Sequence, residues 1–346
     1  MTRSVLPALA SACPARDQRP DSPDAYRSVW VVSRGAGYTV GKAADSYCSR
    51  LFPGGAGLAL AMLLIMLLGC GDHQPPEAGA DPAGHSAPSS ATVAANRAVQ
   101  ENLPKDDRSA FEDATRGLIA TPQSLRIESA DGQLVWDMGA YAFVRPDGKE
   151  TPAPASVHPA LWRQASLNGL HGLFRVTEGI HQVRGFDLAN MTLIEGRSGW
   201  IIVDPLTTAE TARAAFQFAQ QHLGHKPVRA VLITHSHIDH FGGIEGIVED
   251  LPDAERDALR IIAPEGFLEE ATSENVIAGT AMSRRAMYMY GRRLERGERG
   301  HIDSGLGKEP AFGRFGIRAP TEVIGQTPTR LEIDGLEFIF QNAPGS

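Results

Sequence analysis

Four metal-ligating side chains, His235, His237, Asp239 and His240, fall within six residues of one another, directly after the apolar run Val228-Arg-Ala-Val-Leu-Ile233. Few patterns limit a fold more. The apolar run reads as a strand, so the cluster must sit where that strand ends and the chain turns. In extended backbone, residues two apart face the same way, which brings His235 and His237 together. Asp239 and His240 follow where the chain turns toward the next helix, and as neighbours they diverge to serve a second site. Neutral imidazoles with a carboxylate suit Zn²⁺ or a similar divalent ion. Two such ions can activate a bridging water and clamp a leaving oxygen. Gly242 and Gly243 are expected to let the backbone pass close beneath the metals.

The surrounding pattern supports a mixed sheet. Ser109–Gly117 reads as a short helix closed by Gly117. Leu125–Val135 reads as two strands joined at Asp131-Gly132, with Tyr141–Val144 continuing as strand, before Pro152, Pro154 and Pro159 mark a loop. Leu173–Val176 and Ile180–Val183 alternate like strands, and Met191–Ile194 with Trp200–Val203 forms a hairpin across Gly196–Gly199. Thr207 or Thr208 caps a helix to about Leu223, with Ala212, Ala215, Phe216 and Ala219 on one face. Strand Pro227–Ile233, helix Gly242–Val248 and strand Arg260–Ala263 follow, and a hairpin at Asp334-Gly335 ends the series. Hairpins that give way to strands alternating with helices define an α/β (α+β) class. Hydrophobic residues at 42% and charged residues at 21% exclude wholesale disorder. A net charge of −8 argues against a nucleic-acid partner, and three cysteines cannot make a disulfide framework.

The first third of the chain reads differently. Residues 1–70 form a leader in which Lys42 and Arg50 precede the apolar run Gly57–Leu68, a pattern of a secretory signal. Leu67-Leu-Gly-Cys70 is similar to the bacterial lipobox, whose cysteine takes lipid, so Cys70 is the candidate attachment site. The competing readings are an uncleaved anchor and a buried helix, since residues 51–71 carry no charge. In residues 71–95, Ala, Gly, Pro and Ser fill 17 of 25 positions, the composition of a tether, placed at 71–96. The folded part is expected from 97 to 346. The expected location is the periplasm or outer membrane of a bacterium as a lipoprotein, with secretion as the alternative.

The cluster at 235–240, with the strand Ile201-Ile-Val-Asp204-Pro205 upstream, resembles the metallo-β-lactamase superfamily. Several longer strings narrow the resemblance: Phe111-Glu-Asp-Ala-Thr-Arg-Gly117, Leu161-Trp-Arg-Gln164, Gly179–Thr192, Ser273–Gly291 and Gly305-Leu-Gly307 look like the alkyl sulfatases of that superfamily. The resemblance implies part of an αββα sandwich and hydrolysis of long-chain alkyl sulfates such as dodecyl sulfate to an alcohol and inorganic sulfate. It also implies two zinc ions per complete site, one on His235 and His237 and the other on Asp239 and His240, holding the reactive water between them. Asp204 would support the ligand loop from behind. Asn275, Arg284 and Arg285 are candidate sulfate contacts, and Met287, Tyr288, Met289 and Tyr290 either wall an alkyl channel or pack a core. His301 matches no ligand position and is expected at the surface.

In these sulfatases a Pro-Gly segment similar to Pro344-Gly345 runs into a glutamate that bridges the metals, and a second glutamate and a histidine follow. The chain is therefore expected to be a fragment whose own activity is in doubt. A helical dimerisation region and a C-terminal sterol-carrier-like domain belong to the full-length family, and a homodimer is expected only there. The alternatives are another hydrolase of the same superfamily and a non-catalytic lipoprotein that binds metal or amphiphiles.

Overall fold

The computed structural model describes residues 29–33, 84–103, 108–145 and 148–343. The apolar run Gly57–Leu68 and Cys70 lie outside the described residues, as does all of the leader except 29–33. The strands among the described residues are β1 Val29–Ser33, β2 Leu118–Ala120, β3 Arg126–Glu128, β4 Leu134–Asp137, β5 Gly172–Thr177, β6 Ile180–Arg184, β7 Met191–Glu195, β8 Trp200–Val203, β9 Val228–Leu232, β10 Arg260–Pro264, β11 Glu322–Ile324, β12 Thr329–Ile333 and β13 Leu336–Asn342. The α-helices are α1 Ser90–Asn102, α2 Ser109–Thr115, α3 Pro159–Asn168, α4 Ala209–Leu223, α5 Glu245–Val248, α6 Asp253–Ala258, α7 Phe267–Thr272 and α8 Gly279–Met289. Among the described residues no helix is long and apolar enough to cross a membrane.

One eight-stranded sheet, ordered β11-β10-β9-β8-β7-β6-β5-β2, organises the molecule. Its hairpin half, β2 and β5 through β8, is antiparallel, and β8 through β11 are parallel. Strands β8 to β10 are mostly apolar, interrupted only by Arg229 and Arg260 toward their starts, because both faces are covered. Leu193, Ile202 and Val231 face a core shared with Ala212, Ala215, Phe216 and Ala219 of α4. Helix α4 begins on a capping box between Thr208 and Thr211, so Thr208 rather than Thr207 is the cap.

The opposite face carries Ile194, Ile201, Leu232 and Ile262, which pack on Ile333, Phe338 and Phe340. These belong to the β12–β13 hairpin, whose sheet is completed by β1 running parallel to β13. Helices, sheet and second sheet are three consecutive layers of a sandwich. At the hairpin tip, Asp334 accepts hydrogen bonds from Ser198 N (2.8 Å), Ser198 Oγ (2.7 Å) and Gly199 N (3.0 Å), which locks the two sheets together at one corner.

Four sequence expectations change. Tyr141–Val144 is not strand but the end of a 3-10 helix, Gly139–Val144. Its three-residue period puts Tyr141 and Val144 on one buried face. Helix α1 starts inside the segment read as tether, because Ser89 caps it (Thr92 N to Ser89 Oγ, 3.1 Å) and alanines sustain it. Strand β1 likewise lies within the segment read as leader. His301 is not on the surface: it is 4% exposed, and its Nδ1 lies 3.0 Å from the Tyr141 hydroxyl.

His301 is buried next in the chain to Ile302, which belongs to a small separate core with Val144, Val157, Trp162 and Ala165. Beside it Lys308 and Asp303 form a buried ion pair (3.0 Å). Lys308 Nζ also donates to Ala165 O (2.9 Å), and Asn168 Nδ2 donates to Asp303 Oδ1 (2.9 Å). Together these bonds staple the 301–308 segment to α3.

Burial, and then the charges of Arg296 and Lys308, push the His301 imidazole down to about 4. A histidine in the unfolded chain titrates near about 6.5, so below that pH the unfolded chain binds a proton the folded one refuses. The stabilisation from neutral His301 is thus fully present above that value and lost as the pH falls toward 4. In urea unfolding across pH 7 to 4.5, His301→Gln is expected to flatten the loss of stability relative to the parent chain. An unchanged slope would remove His301 from that account.

Candidate metal centre

Strands β8 and β9 are parallel neighbours, with Val203 opposite Leu232. Their carboxyl ends open on the same edge of the sheet, where ligand sites of open α/β sheets gather. Asp204 leaves β8 there, and the Thr234–His240 segment leaves β9. Asp204 and Leu206 both adopt left-handed backbone, with φ of 57° and 63°. Such conformations cost on the order of 1–3 kcal/mol each and persist only where their surroundings enforce them. Leu206 is fully buried, and its carbonyl accepts from Gly243 N (2.9 Å). The two glycines serve this loop rather than the metals. A Cβ on Gly242 would overlap the Thr207 carbonyl oxygen, and one on Gly243 that of Pro205.

The left-handed turn aims the Asp204 carboxylate across to the β9 loop. It accepts from Thr234 N (2.9 Å), Thr234 Oγ1 (2.8 Å) and His240 Nδ1 (2.8 Å). Thr234 Oγ1 also meets His235 Nδ1 at 2.9 Å. The threonine hydrogen is committed to the carboxylate, which can only accept, so the hydroxyl oxygen must accept from His235 Nδ1–H. One carboxylate therefore sets both imidazoles, His240 directly and His235 through Thr234. In each case the proton stays on Nδ1 and Nε2 faces outward as the ligating atom.

His235 Nε2 lies 3.1 Å from His237 Nδ1, and His240 Nε2 lies 3.4 Å from Asp239 Oδ2. Two donors about 2.1 Å from one tetrahedral ion sit about 3.4 Å apart. Each pair is thus spaced like two corners of a single coordination shell. Among the described residues no group of three or more His, Cys, Asp or Glu side chains is arranged around one point.

The electrostatics also favour a cation. Burial works against charge on His240, but its hydrogen bonds to Asp204 and Asp239 prevail and push it up to about 10. Burial likewise opposes ionisation of Asp239, yet the hydrogen bond and charge of His240 hold its carboxyl below the usual range. Burial first, and then the charges of His240 and His237, push His235 down to about 4, where it is a neutral donor. Positive charge is stabilised beside Asp239, and lone pairs are available beside His237.

A cavity of about 400 Å³ opens from this cluster. His237 and Asp239 lie at one end of it, and Asn275 and Arg285 line its wall. Arg284 is not part of the lining: it is exposed on a neighbouring face of α8. Asn275 Nδ2 is engaged with Ala271 O (2.9 Å), which leaves Arg285 the freer of the two sulfate candidates. Met289 and Tyr290 line the cavity, and Tyr288 is 91% exposed. No residue of α8 is buried, so this methionine–tyrosine stretch is channel wall and surface rather than core.

Two contributors were not singled out from sequence. Arg292 also lines the cavity. Asp187 is buried and accepts from Leu188 N (2.7 Å), Thr207 N (3.0 Å), Thr207 Oγ1 (2.9 Å), Thr211 Oγ1 (2.8 Å) and Ala311 N (3.1 Å). It ties together three residues of the cavity wall, Leu188, Thr207 and Ala311. The only sequence signal for it was its place inside the 179–192 string.

Residues 184–340 match the Metallo-beta-lactamase superfamily. This stretch is a metallo-beta-lactamase domain. The fold implies metal binding in general, in keeping with the two donor pairs at its sheet edge. Over 263 residues the chain is 49% identical to an (R)-specific secondary-alkylsulfatase of Pseudomonas sp., covering 75% of this chain and 39% of that one. Over 255 residues it is 46% identical to the alkyl/aryl-sulfatase BDS1 of Saccharomyces cerevisiae, covering 74% and 39%. The solved structure of the stereoselective inverting sec-alkylsulfatase Pisa1 from Pseudomonas sp. superposes with a TM-score of 0.68 at 48% identity, over 73% of this chain and 39% of that one. The chain thus spans about two fifths of the length of these relatives.

If Thr234 relays Asp204 to His235, Thr234→Val should weaken divalent-metal binding by about 10–100-fold, the usual effect of losing a partner behind a ligating histidine. Thr234→Ser should retain it. Competition with a chromophoric chelator measures the affinity, and circular dichroism checks that each variant is folded. Equal affinity in all three proteins would contradict the relay.

Proposed function

We propose that this domain hydrolyses the sulfate esters of alkyl chains, giving an alcohol and inorganic sulfate, with zinc as the metal. One observation carries the reading: a single cavity joins the His237–Asp239 end of the cluster to an arginine and an apolar wall. An alkyl sulfate has the matching shape, an anionic head and an apolar tail. Arg285 offers a charge-assisted contact to the sulfate oxygens. Met282, Met289 and Phe315 offer the tail an apolar surface. The names of the similar alkylsulfatases support the same substrate class.

Zinc, when bound, would supply Lewis acidity toward the ester and toward water. His235 and His237 would hold one ion and Asp239 and His240 the other. Asp204 and Thr234 hold the Nδ1 protons of His240 and His235, so that Nε2 of each ring is the atom that would face an ion. Water, sulfate oxygens and donors outside the described residues would complete each shell. The apolar run ahead of Cys70 supports export and lipid anchoring at a bacterial envelope as part of this proposal.

Incubating the zinc-loaded chain with dodecyl sulfate and measuring sulfate and dodecanol tests the reaction. The expected result is stoichiometric release of both, reduced by at least about 100-fold in His237→Ala and in Asp239→Ala, since each removes half of a donor pair. Release that persists in those variants, or turnover of a β-lactam in place of the sulfate ester, would overturn the proposal.

A further inference from the structure

The chain is acidic overall, with 41 Asp and Glu against 33 Lys and Arg, and its arginines are mostly matched. Arg213 pairs with Glu249 and Asp250, Arg296 with Glu309, Arg314 with Glu249 and Arg318 with Glu245. Among the described residues, Arg284, Arg285, Arg292 and Arg293 meet no carboxylate within ion-pair distance, as is also true of Arg175, Arg184 and Arg229; the four are set apart by falling within ten residues of one another. Arg285 and Arg292 line the cavity beside the metal cluster, together with Glu274, while Arg284 and Arg293 are exposed next to them in the chain, Arg293 on the rim of an adjoining hollow that Arg292 also lines.

The same region exposes large apolar side chains. Met289 at 57%, Phe312 at 55% and Phe315 at 57% both line the cavity and face solvent, so they form its mouth. Tyr288, at 91%, stands beside them on α8. Residues four apart on a helix lie one above the other, so Arg284 shares a stripe with Tyr288 and Arg285 one with Met289. Arg292 stacks over the Phe312 ring. Unmatched cations interleaved with exposed aromatic and thioether groups are the reverse of an ordinary solvated surface. They complement an array of anionic heads with apolar material just beneath, and basic side chains with apolar partners are what an interface of that kind binds.

We infer that the mouth of the cavity is a docking face for aggregated anionic amphiphile, the surface of an alkyl sulfate micelle, from which single molecules enter the cavity. This rests on the alkyl sulfate reading of the site and adds to it where the substrate is collected. Arg284, Arg293 and Tyr288 hold the aggregate surface. Arg285 and Arg292 lie inward of them, on the path of the sulfate group.

Flotation of the full chain with phosphatidylcholine vesicles carrying a minor fraction of hexadecane-1-sulfonate tests this. The sulfonate presents the same head but has no ester to cleave, so docking is read without turnover. Each basic residue near an anionic surface contributes roughly a fivefold gain in binding. Arg284→Gln/Arg293→Gln is therefore expected to bind roughly 20-fold more weakly, and Tyr288→Ser in addition weaker still. The double variant should hydrolyse a short, monomeric alkyl sulfate as the parent does, because neither residue lines the cavity.

The apolar run Gly57–Leu68 is present in every variant, so the difference between variants reads the mouth alone. Equal binding to plain phosphatidylcholine vesicles, or no effect of the double substitution, would overturn the inference. Equal or tighter binding to phosphatidylglycerol vesicles would assign the face to anionic membrane and overturn the micelle as its partner. A change in sedimentation on substituting these residues without vesicles would assign it to a second copy of the chain, again overturning it. A chain that docks but releases no sulfate would overturn the proposed reaction and leave docking intact.

Discussion

The Asp204 carboxylate holds the ligand cluster in its working form. It accepts three hydrogen bonds from a loop thirty and more residues away in sequence, and two of the three donors belong to Thr234, which is not itself a ligand. The price is backbone strain at Asp204 and Leu206, and the sheet around them explains why it is tolerated. Parallel β8 and β9 fix where the two loops start, Leu206 is sealed into the core, and Gly242 and Gly243 allow the next turn to press against the strained segment. Without that pressure an L-residue at φ near 60° would relax and the carboxylate would swing away from both imidazoles.

Much of this was legible in the sequence, for identifiable reasons. The strands from Leu173 to Ile233 were readable because hairpin turns and long apolar runs leave few other structures open to them. The pairing of His235 with His237 followed from the two-residue period of extended chain. Tyr141–Val144 was misread because four apolar residues in a row carry no period of their own; only the buried contact of Tyr141 with His301 shows that the segment coils. His301 misled for a related reason. Glycines and charges around it resemble a surface loop, and burial there depends on α3 and Lys308, which no local pattern reveals. Asp187 lay inside a recognised string, but a lone aspartate among loop residues says nothing of the four donors that reach it from 207–211 and from 311.

The placement of charge in the molecule is uneven in a way that composition conceals. A net charge of −8 speaks of repulsion toward anions, yet Arg285 and Arg292 line the cavity beside the metal cluster without an ion-pair partner, alongside Glu274. Unmatched cations at a concave surface act over a Debye length of about 8–10 Å, whereas the many paired arginines elsewhere act only on their partners.

The hydrogen bonds of Asp187 have a consequence for how such a cavity can diversify. Its grip on the wall is mainly through backbone, the amides of Leu188, Thr207 and Ala311, with the hydroxyls of Thr207 and Thr211 adding the two side-chain bonds. An anchor that holds backbone is indifferent to the identity of what projects from it. Residues along the wall can be exchanged one at a time, and the width and polarity of the channel altered, while the path of the chain stays where the buried carboxylate fixes it. Specificity can then drift in small steps without each step reopening the question of whether the domain folds.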